Sequence, residues 1–260
     1  ESDWLEIDDL FNSEIELKKD LYDSHFNDIH KEVKESYESQ VELLDVLETH
    51  LEQYHPNHKI TSLADSLPLK NASLMVQEDL VLMLPRGEEY FLGAASLCAP
   101  SNWSLKEKFK SSLVGLHVHV PKYEKKIGST VNNLFNNLPM ERIFQRFNWS
   151  VYEDPKLFQP ARSKSQIERS RTITEDNAGD RLYIRVERQT IRRLPETKAI
   201  VFTIRVHVNP LLSIKKDLSL LTDLDQALEN LTQDMKKYKS IDQIEVPLRG
   251  WLEKEIKNLG

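Results

Sequence analysis

Apolar positions across residues 1–55 recur at helical spacing. Leu10, Phe11, Leu17, Leu21 and Tyr22 fall near one stripe, and Val33, Tyr37, Val41, Leu44, Leu47 and Leu51 form a second. That recurrence predicts two amphipathic helices, closed by Pro56 and Asn57. From Ala72 the period changes. Apolar runs over 74–84 and 89–98 flank Pro85-Arg-Gly-Glu88 and predict a β-hairpin. Ser104, with Glu107 three residues on, predicts a capping box that opens a short helix at Leu105. Leu116-His-Val-His-Val-Pro-Lys-Tyr123 is an apolar segment carrying two histidines, ended by Pro121. Residues 124–138 read as a helix with Ile127, Val131, Leu134, Phe135 and Leu138 on one side, and Arg142–Val151 as a strand. Residues 161–180 are polar and aperiodic, which predicts a mobile loop. Two strands follow, from Arg181 and from Ala199, joined by a tight turn at Pro195. A helix over 224–238 with Asp223 as N-cap, and another over 246–259, finish the chain. Helices, then mostly antiparallel strands with interspersed helices, then helices again make an α+β protein. The expected division is an acidic helical region over 1–57 packed on a main domain over 58–260.

Charge sharpens this picture because it is unevenly spread. The 260-residue chain is net −7, yet Glu1–His50 alone holds sixteen Asp/Glu against four Lys/Arg, and the strand pair from Arg181 onward is strongly basic. The blander account of the acidic helices is a solvated face; the sharper one is a surface for a basic partner. Basic residues confined to one hairpin, with no basic helix carrying interleaved aromatics, argue against nucleic-acid binding. No apolar run reaches 18 residues, so no membrane-spanning helix is expected. The single cysteine, Cys98, excludes an internal disulfide and a cysteine-based metal cluster, and its apolar setting reads as a buried, inert thiol. The Asn-Trp-Ser sequons at Asn102 and Asn148 stand in core-like stretches, and together with the lone cysteine they leave an intracellular location as the expectation. Neither a Gly-x-Ser-x-Gly elbow nor a phosphate-binding glycine loop occurs.

The basic strand pair carries the candidate chemistry. At period two, Leu182, Ile184 and Val186 share a face that runs on into Arg188, Thr190 and Arg192, with Arg185, Glu187, Gln189 and Ile191 opposite. On the next strand Ile200, Phe202, Ile204 and Val206 form an apolar face, and Thr203, Arg205 and His207 lie on the other side. Arginines continuing an apolar face are costly unless paired. Two explanations compete: a structural ion network with carboxylates such as Glu187 or Glu78, or bidentate capture of a ligand carboxylate or phosphate. His117 and His119 share a face if their segment is a strand, a spacing compatible with metal ligation, although taken alone it favours satisfied polar or core histidines. A haem site would need one imidazole beside a large apolar pocket and cations for two propionates. Val118, Val120, Phe135, Trp149 and Phe202 could wall such a pocket.

At these residues the chain resembles the haem-dependent oxidative N-demethylase-like proteins of bacteria and fungi. The similarity runs from about Leu74 to Pro210, with a weaker tail to Leu259. It rests on seven motifs in order: Val76-Gln-Glu-Asp79, Ala99-Pro-Ser-Asn-Trp-Ser104, Leu116–Tyr123, Asn148-Trp-Ser150, Leu157-Phe-Gln-Pro160, Arg185–Pro195 and Phe202-Thr-Ile-Arg205. The resemblance implies a PAS-like antiparallel sheet flanked by helices around a b-type haem. It further implies oxidative demethylation of a small amine by dioxygen, with electrons from a flavin/ferredoxin-type reductase and formaldehyde as a product. Carried over by position, His117 would be the axial iron ligand, with His119 a rival because it replaces a proline of the motif. Arg188 and Arg192, with Thr203 on the neighbouring strand, would bind the cofactor, and Arg205 would serve the propionates or the distal pocket. Glu78 and Asp79 would meet a cationic amine. Two other readings stand beside the demethylase: a haem- or ligand-binding sensor or carrier without turnover, and an interaction protein that docks through its acidic helices.

Overall fold

The computed structural model describes residues 1–58, 66–87, 89–117 and 128–260. Among these residues six strands form one antiparallel sheet: β1 (His30–Glu32), β2 (Asp79–Arg86), β3 (Glu89–Ser96), β4 (Phe144–Tyr152), β5 (Tyr183–Arg193) and β6 (Ile200–Pro210). Their spatial order is β1-β3-β2-β6-β5-β4, with helices on both faces. The α+β class read from the sequence is the class observed.

Two hairpins set the register. β2 and β3 turn at Gly87, whose φ of +65° lies in the left-handed region that glycine enters without strain. A bulge follows, because Leu82 pairs with Ala94 and Met83 with Leu92, leaving Gly93 as the extra residue. A Cβ there would stand 2.5 Å from the Leu84 side chain, so the bulge requires glycine. The longer hairpin joins β5 to β6, with the Leu194 N–H donating to the Ala199 carbonyl across the turn. Its register puts Arg188 opposite Arg205, Thr190 opposite Thr203, and Glu187 opposite Val206. Directly opposed residues share a sheet face.

The sheet therefore has two distinct sides. One carries Leu80, Leu82 and Val201, which pack with Trp4, Leu5, Leu43, Leu47 and Leu51 from the N-terminal segment and the Tyr37–Tyr54 helix. Toward β4 the same side packs Val151 and Ile184 against Leu221, Leu248 and Trp251 of the C-terminal helices. The second side carries Val81, Met83, Ile200, Ile204 and Val206, covered by Leu105, Leu113, Phe135 and Leu138. Around this second core Leu116, Val131, Ile191, Phe202 and Val208 are only partly buried.

Several local expectations are corrected. Residues 161–180 are built, not loose: helices span Lys164–Ser170 and Ala178–Arg181. Ser163 accepts from the Gln166 N–H while Gln166 accepts from the Ser163 N–H, and Arg162 and Arg169 pair with Glu153 and Asp154, each at 2.6 Å. Polar ties, which have no period, do there what an apolar stripe does elsewhere. The later helix starts at Leu218, capped by Asp217 and not by Asp223, and ends at Glu229; Thr232 then caps a new one, Gln233–Tyr238. Ser104 precedes the Leu105–Lys108 helix but makes no side-chain capping bond. Residues 74–78 lie ahead of β2 and outside the ladder. The 124–138 helix is seen as Gly128–Asn136, its expected start falling outside the described residues.

Candidate functional site

The arginines of the first sheet face answer to the acidic N-terminus. Arg205, 1% exposed, donates to Asp8 at 2.7 Å and to Glu14 at 2.8 Å. Burial presses its pKa down, and the Glu14 and Asp8 carboxylates, with Glu78 beyond them, more than reverse the effect. Arg188 lies 3.3 Å from Glu6 and donates to the carbonyls of Trp4, at 3.0 Å, and Asp3, and to Gln145. His207 reaches the other Glu6 oxygen at 2.8 Å. Thr203 bonds Thr190 at 2.6 Å, both fully buried. The Arg192 guanidinium stacks over the Trp4 ring at 4.3 Å. Of the two explanations left open for Arg188, the ion network is the one the structure builds. Its carboxylate is Glu6, more distant in sequence than Glu187 or Glu78.

Glu78 and Asp79, expected to meet an amine, both bond backbone N–H groups, and Glu78 Oε2 is buried without a hydrogen-bond partner among the described residues. Glu78 accepts from the Glu6 N–H at 2.9 Å. The two Asp79 oxygens accept from the N–H groups of Cys98 and Ala99 at 2.7 and 2.9 Å. Complete burial pushes Glu78 up to about 7 and Asp79 up to about 6. Asp79 opens β2 opposite Ile204, while Glu78, in the bend before it, reaches the N-terminal segment. Cys98 is buried, its thiol pushed up to about 12 mainly by burial, as an inert core cysteine should be.

His117 belongs to the second face. It follows the Leu113–Leu116 helix, whose N-cap Ser112 accepts from the Gly115 N–H. Its Nδ1 lies 2.8 Å from the Leu113 carbonyl, which fixes the proton on Nδ1 and leaves the lone pair on Nε2. Burial lowers its pKa, as do the charges of Arg146 and Lys108, while the Leu113 bond opposes them. The imidazole is therefore neutral at pH 7, the form that ligates iron. His119 lies outside the described residues, as do Val118 and Val120. Phe135 and Phe202, two other expected pocket walls, are on the His117 side; Trp149 is on the other.

A polar chain that the sequence reading passed over runs along the same face. Arg146 Nε donates to the Gln189 Oε1 at 2.7 Å, and Gln189 Nε2 donates to Glu187 at 2.7 Å. Glu187 also accepts from Asn148, at 3.2 Å, and from Ser101, which in turn accepts from Arg185 at 2.9 Å. The signal was available. Arg185, Glu187 and Gln189 alternate on β5, and the hairpin turn fixes that they lie beside Ile204 and Val206, while Arg188 and Arg192 lie on the reverse side. The helix that ends at His117 thus packs, through Leu113 and Leu116, on the side of the sheet that carries Phe202, Ile191 and the Arg146–Gln189–Glu187 chain, while Arg188, Arg192, Thr203 and Arg205 belong to the other side.

Fold and site define a class of α+β protein in which one sheet face is closed by an ion network and the other presents a neutral histidine over half-covered apolar side chains. The chain belongs to the haem-dependent oxidative N-demethylase, alpha subunit-like family, whose model matches residues 1–248. The match takes in the acidic N-terminus as well as the segment from Leu74 on which the resemblance rested. It brings the theme of haem dependence to this chain. Among the described residues no cluster of three or more His, Cys, Asp or Glu side chains could hold a bare metal ion, and no helix is long and apolar enough to cross a membrane. A porphyrin supplies four of its iron's ligands itself, so a single histidine is the donor set it asks of the protein.

Proposed function

We propose that this protein binds haem b on the second face of its sheet and performs oxidative demethylation of a small amine. The observation that carries the reading is His117: half-buried, held at Nδ1 by Leu113, and ending the helix whose Leu113 and Leu116 pack in one cluster with the partly covered Val131, Ile191, Phe202 and Val208. Apolar side chains left half-covered in an otherwise closed core suit a flat apolar ligand. The antiparallel sheet flanked by helices supports the PAS-like reading.

Bound haem supplies dioxygen activation, with electrons from a flavin/ferredoxin-type reductase. The chain's own residues do the rest. His117 would hold the iron, and the Leu113 carbonyl keeps the imidazole from swinging or taking the wrong tautomer. Phe202 and Ile191 exclude water from the sheet side. Glu187 fixes Gln189, and Gln189 fixes Arg146, so the polar rim needs no reorganisation when a ligand enters. Glu78 and Asp79 bond backbone N–H groups, and Arg205 bonds Asp8 and Glu14.

Haem titration into the purified protein tests the cofactor. A Soret band that His117→Ala abolishes, with far-UV circular dichroism unchanged, is expected; its persistence in that variant would remove His117 as ligand. Activity is tested by supplying dimethylamine, dioxygen and a reductase and measuring formaldehyde. Haem uptake without formaldehyde across a panel of methylamines would favour the carrier reading.

A further inference from the structure

We propose that a second site, separate from the His117 cluster, binds a small zwitterion whose ammonium and carboxylate are joined by an apolar stem. The place is the end of the sheet where both hairpins turn. Met83 pairs with Ile200, so Leu84 to Arg86 run out beside the Leu194–Ala199 turn. A cavity of about 530 Å³ lies there, inside the ~300–1,000 Å³ of small-molecule sites. Val33, Leu84 and Phe91 give it an apolar floor continuous with the first core, and none of its lining residues belongs to the cluster on the His117 side. Thr197 stands at its margin, tied to Glu42 of the Tyr37–Tyr54 helix through its N–H at 2.8 Å and its hydroxyl at 2.6 Å.

Four charged side chains line this cavity in two groups. Arg86, at the end of β2, and Lys110, whose N–H donates to the Leu92 carbonyl at 3.1 Å, bring positive charge. Glu35 and Glu38, where the chain turns into the Tyr37–Tyr54 helix, bring negative charge. Among the described residues none of the four side chains makes a hydrogen bond or ion pair, so opposite charges share one cavity without neutralising one another. The Arg86 guanidinium lies 3.8 Å from the centre of the Phe91 ring. Stacking fixes its plane on a buried aromatic and leaves its N–H edge for an acceptor. Glu38, in the first helical turn, also complements the helix dipole, which accounts for one carboxylate and for neither cation. Both signs of charge around an apolar floor complement a ligand that carries both. A sphere of this volume is about 10 Å across, and an extended five-carbon stem sets ammonium and carboxylate about 7–8 Å apart.

The probes are ε-aminocaproate, caproate and hexylamine, which share a stem and differ in their charges. Each is titrated into isotope-labelled full-chain protein while amide resonances are followed. Those of Phe91, Lys110 and Thr197 should shift with ε-aminocaproate. It should bind about two- to fivefold more tightly than either singly charged analogue, the range for partly exposed charge pairs. Arg86→Gln should bring ε-aminocaproate down toward the affinity of hexylamine and leave hexylamine unchanged. Glu38→Gln should bring it down toward caproate and leave caproate unchanged. Lys254→Gln, whose lysine pairs with Asp176 outside the cavity, should bind all three as wild type does. Unchanged urea midpoints separate lost binding from lost folding. Equal affinity for the three compounds overturns the proposal, as does a wild-type preference retained in both Arg86→Gln and Glu38→Gln. Unshifted amides at the cavity in tens of millimolar ε-aminocaproate overturn it as well. The outcome is independent of whether the protein takes up haem, because the two sites share no residue.

Discussion

Burial decides what each charged side chain here can do. Glu78 is fully enclosed, and its pKa rises from 4.5 to about 7 because water no longer solvates the carboxylate; Asp79 moves the same way, to about 6. A folded-state pKa above the unfolded one means the native protein holds a proton that the unfolded chain releases. Stability contributed by these two groups therefore falls as pH rises through the window from about 4 to 7. Glu78→Gln keeps an acceptor for the Glu6 N–H and removes the charge. It should raise the unfolding free energy at pH 8 by on the order of 1–2 kcal/mol, with the gain vanishing by pH 4.5. A constant gain at both pH values would refute the titration account. Arg205→Met is the opposite case, because it strands the Asp8 and Glu14 carboxylates around a closed site. A loss of roughly 3–5 kcal/mol in urea unfolding is expected. At this scale the sequence showed the problem and hid the solution. Arg188 and Arg192 were visible as cations extending an apolar face. Glu6, however, stands 182 positions before Arg188, and no local pattern announces such a pairing. The acidic N-terminus and the basic hairpin were both legible; that each answers the other needed the fold.

Elements, too, were read best where one period governs them. The Tyr37–Tyr54 helix and the β5–β6 hairpin follow 3.6 and 2 closely, and both formed where expected. The 161–180 segment failed as a reading because Ser163, Gln166, Arg162 and Arg169 hold it by hydrogen bonds and ion pairs. Ser163→Ala removes the capping bond to the Gln166 N–H and should cost about 1 kcal/mol, measurable as a shift in the urea midpoint with unchanged slope. The N-terminal strap is the larger case. Asp3, Trp4, Glu6 and Asp8 together bond Arg188, Arg205 and His207, and Trp4 fills the core at 1% exposure. Removing residues 1–9 should lower the melting temperature by more than 10 °C, since it uncovers two buried guanidinium groups and a tryptophan site at once. The β5–β6 register also explains why the site was only half-read: period two separates the faces of one strand, but the Leu194–Ala199 turn fixes which face of the partner joins them.

For the whole molecule, the sheet is a partition between stability and chemistry. Its first face is filled by arginines, threonines and the acidic strap, which pair with one another there. Its second face keeps Phe202, Ile191 and Val208 only partly buried, on the side covered by the helix that ends at His117. A chain so divided should respond separately to changes on the two sides. Arg188→Met leaves the Glu6 carboxylate and the Trp4 carbonyl short of a partner, so unfolding should occur at lower urea while the Soret spectrum of haem-loaded protein stays in place. His117→Ala should remove that spectrum and shift the urea midpoint of haem-free protein by less than about 0.5 kcal/mol, because the imidazole's bond is a local one to Leu113. Sites that share no partner and lie on opposite sides of a sheet add without coupling, so in the double variant the two stability changes should sum to within about 0.5 kcal/mol. A coupling well above that value would mean that the ion network and the histidine bias one another through β5. The division of labour between the faces would then be wrong even if each single variant behaved as expected.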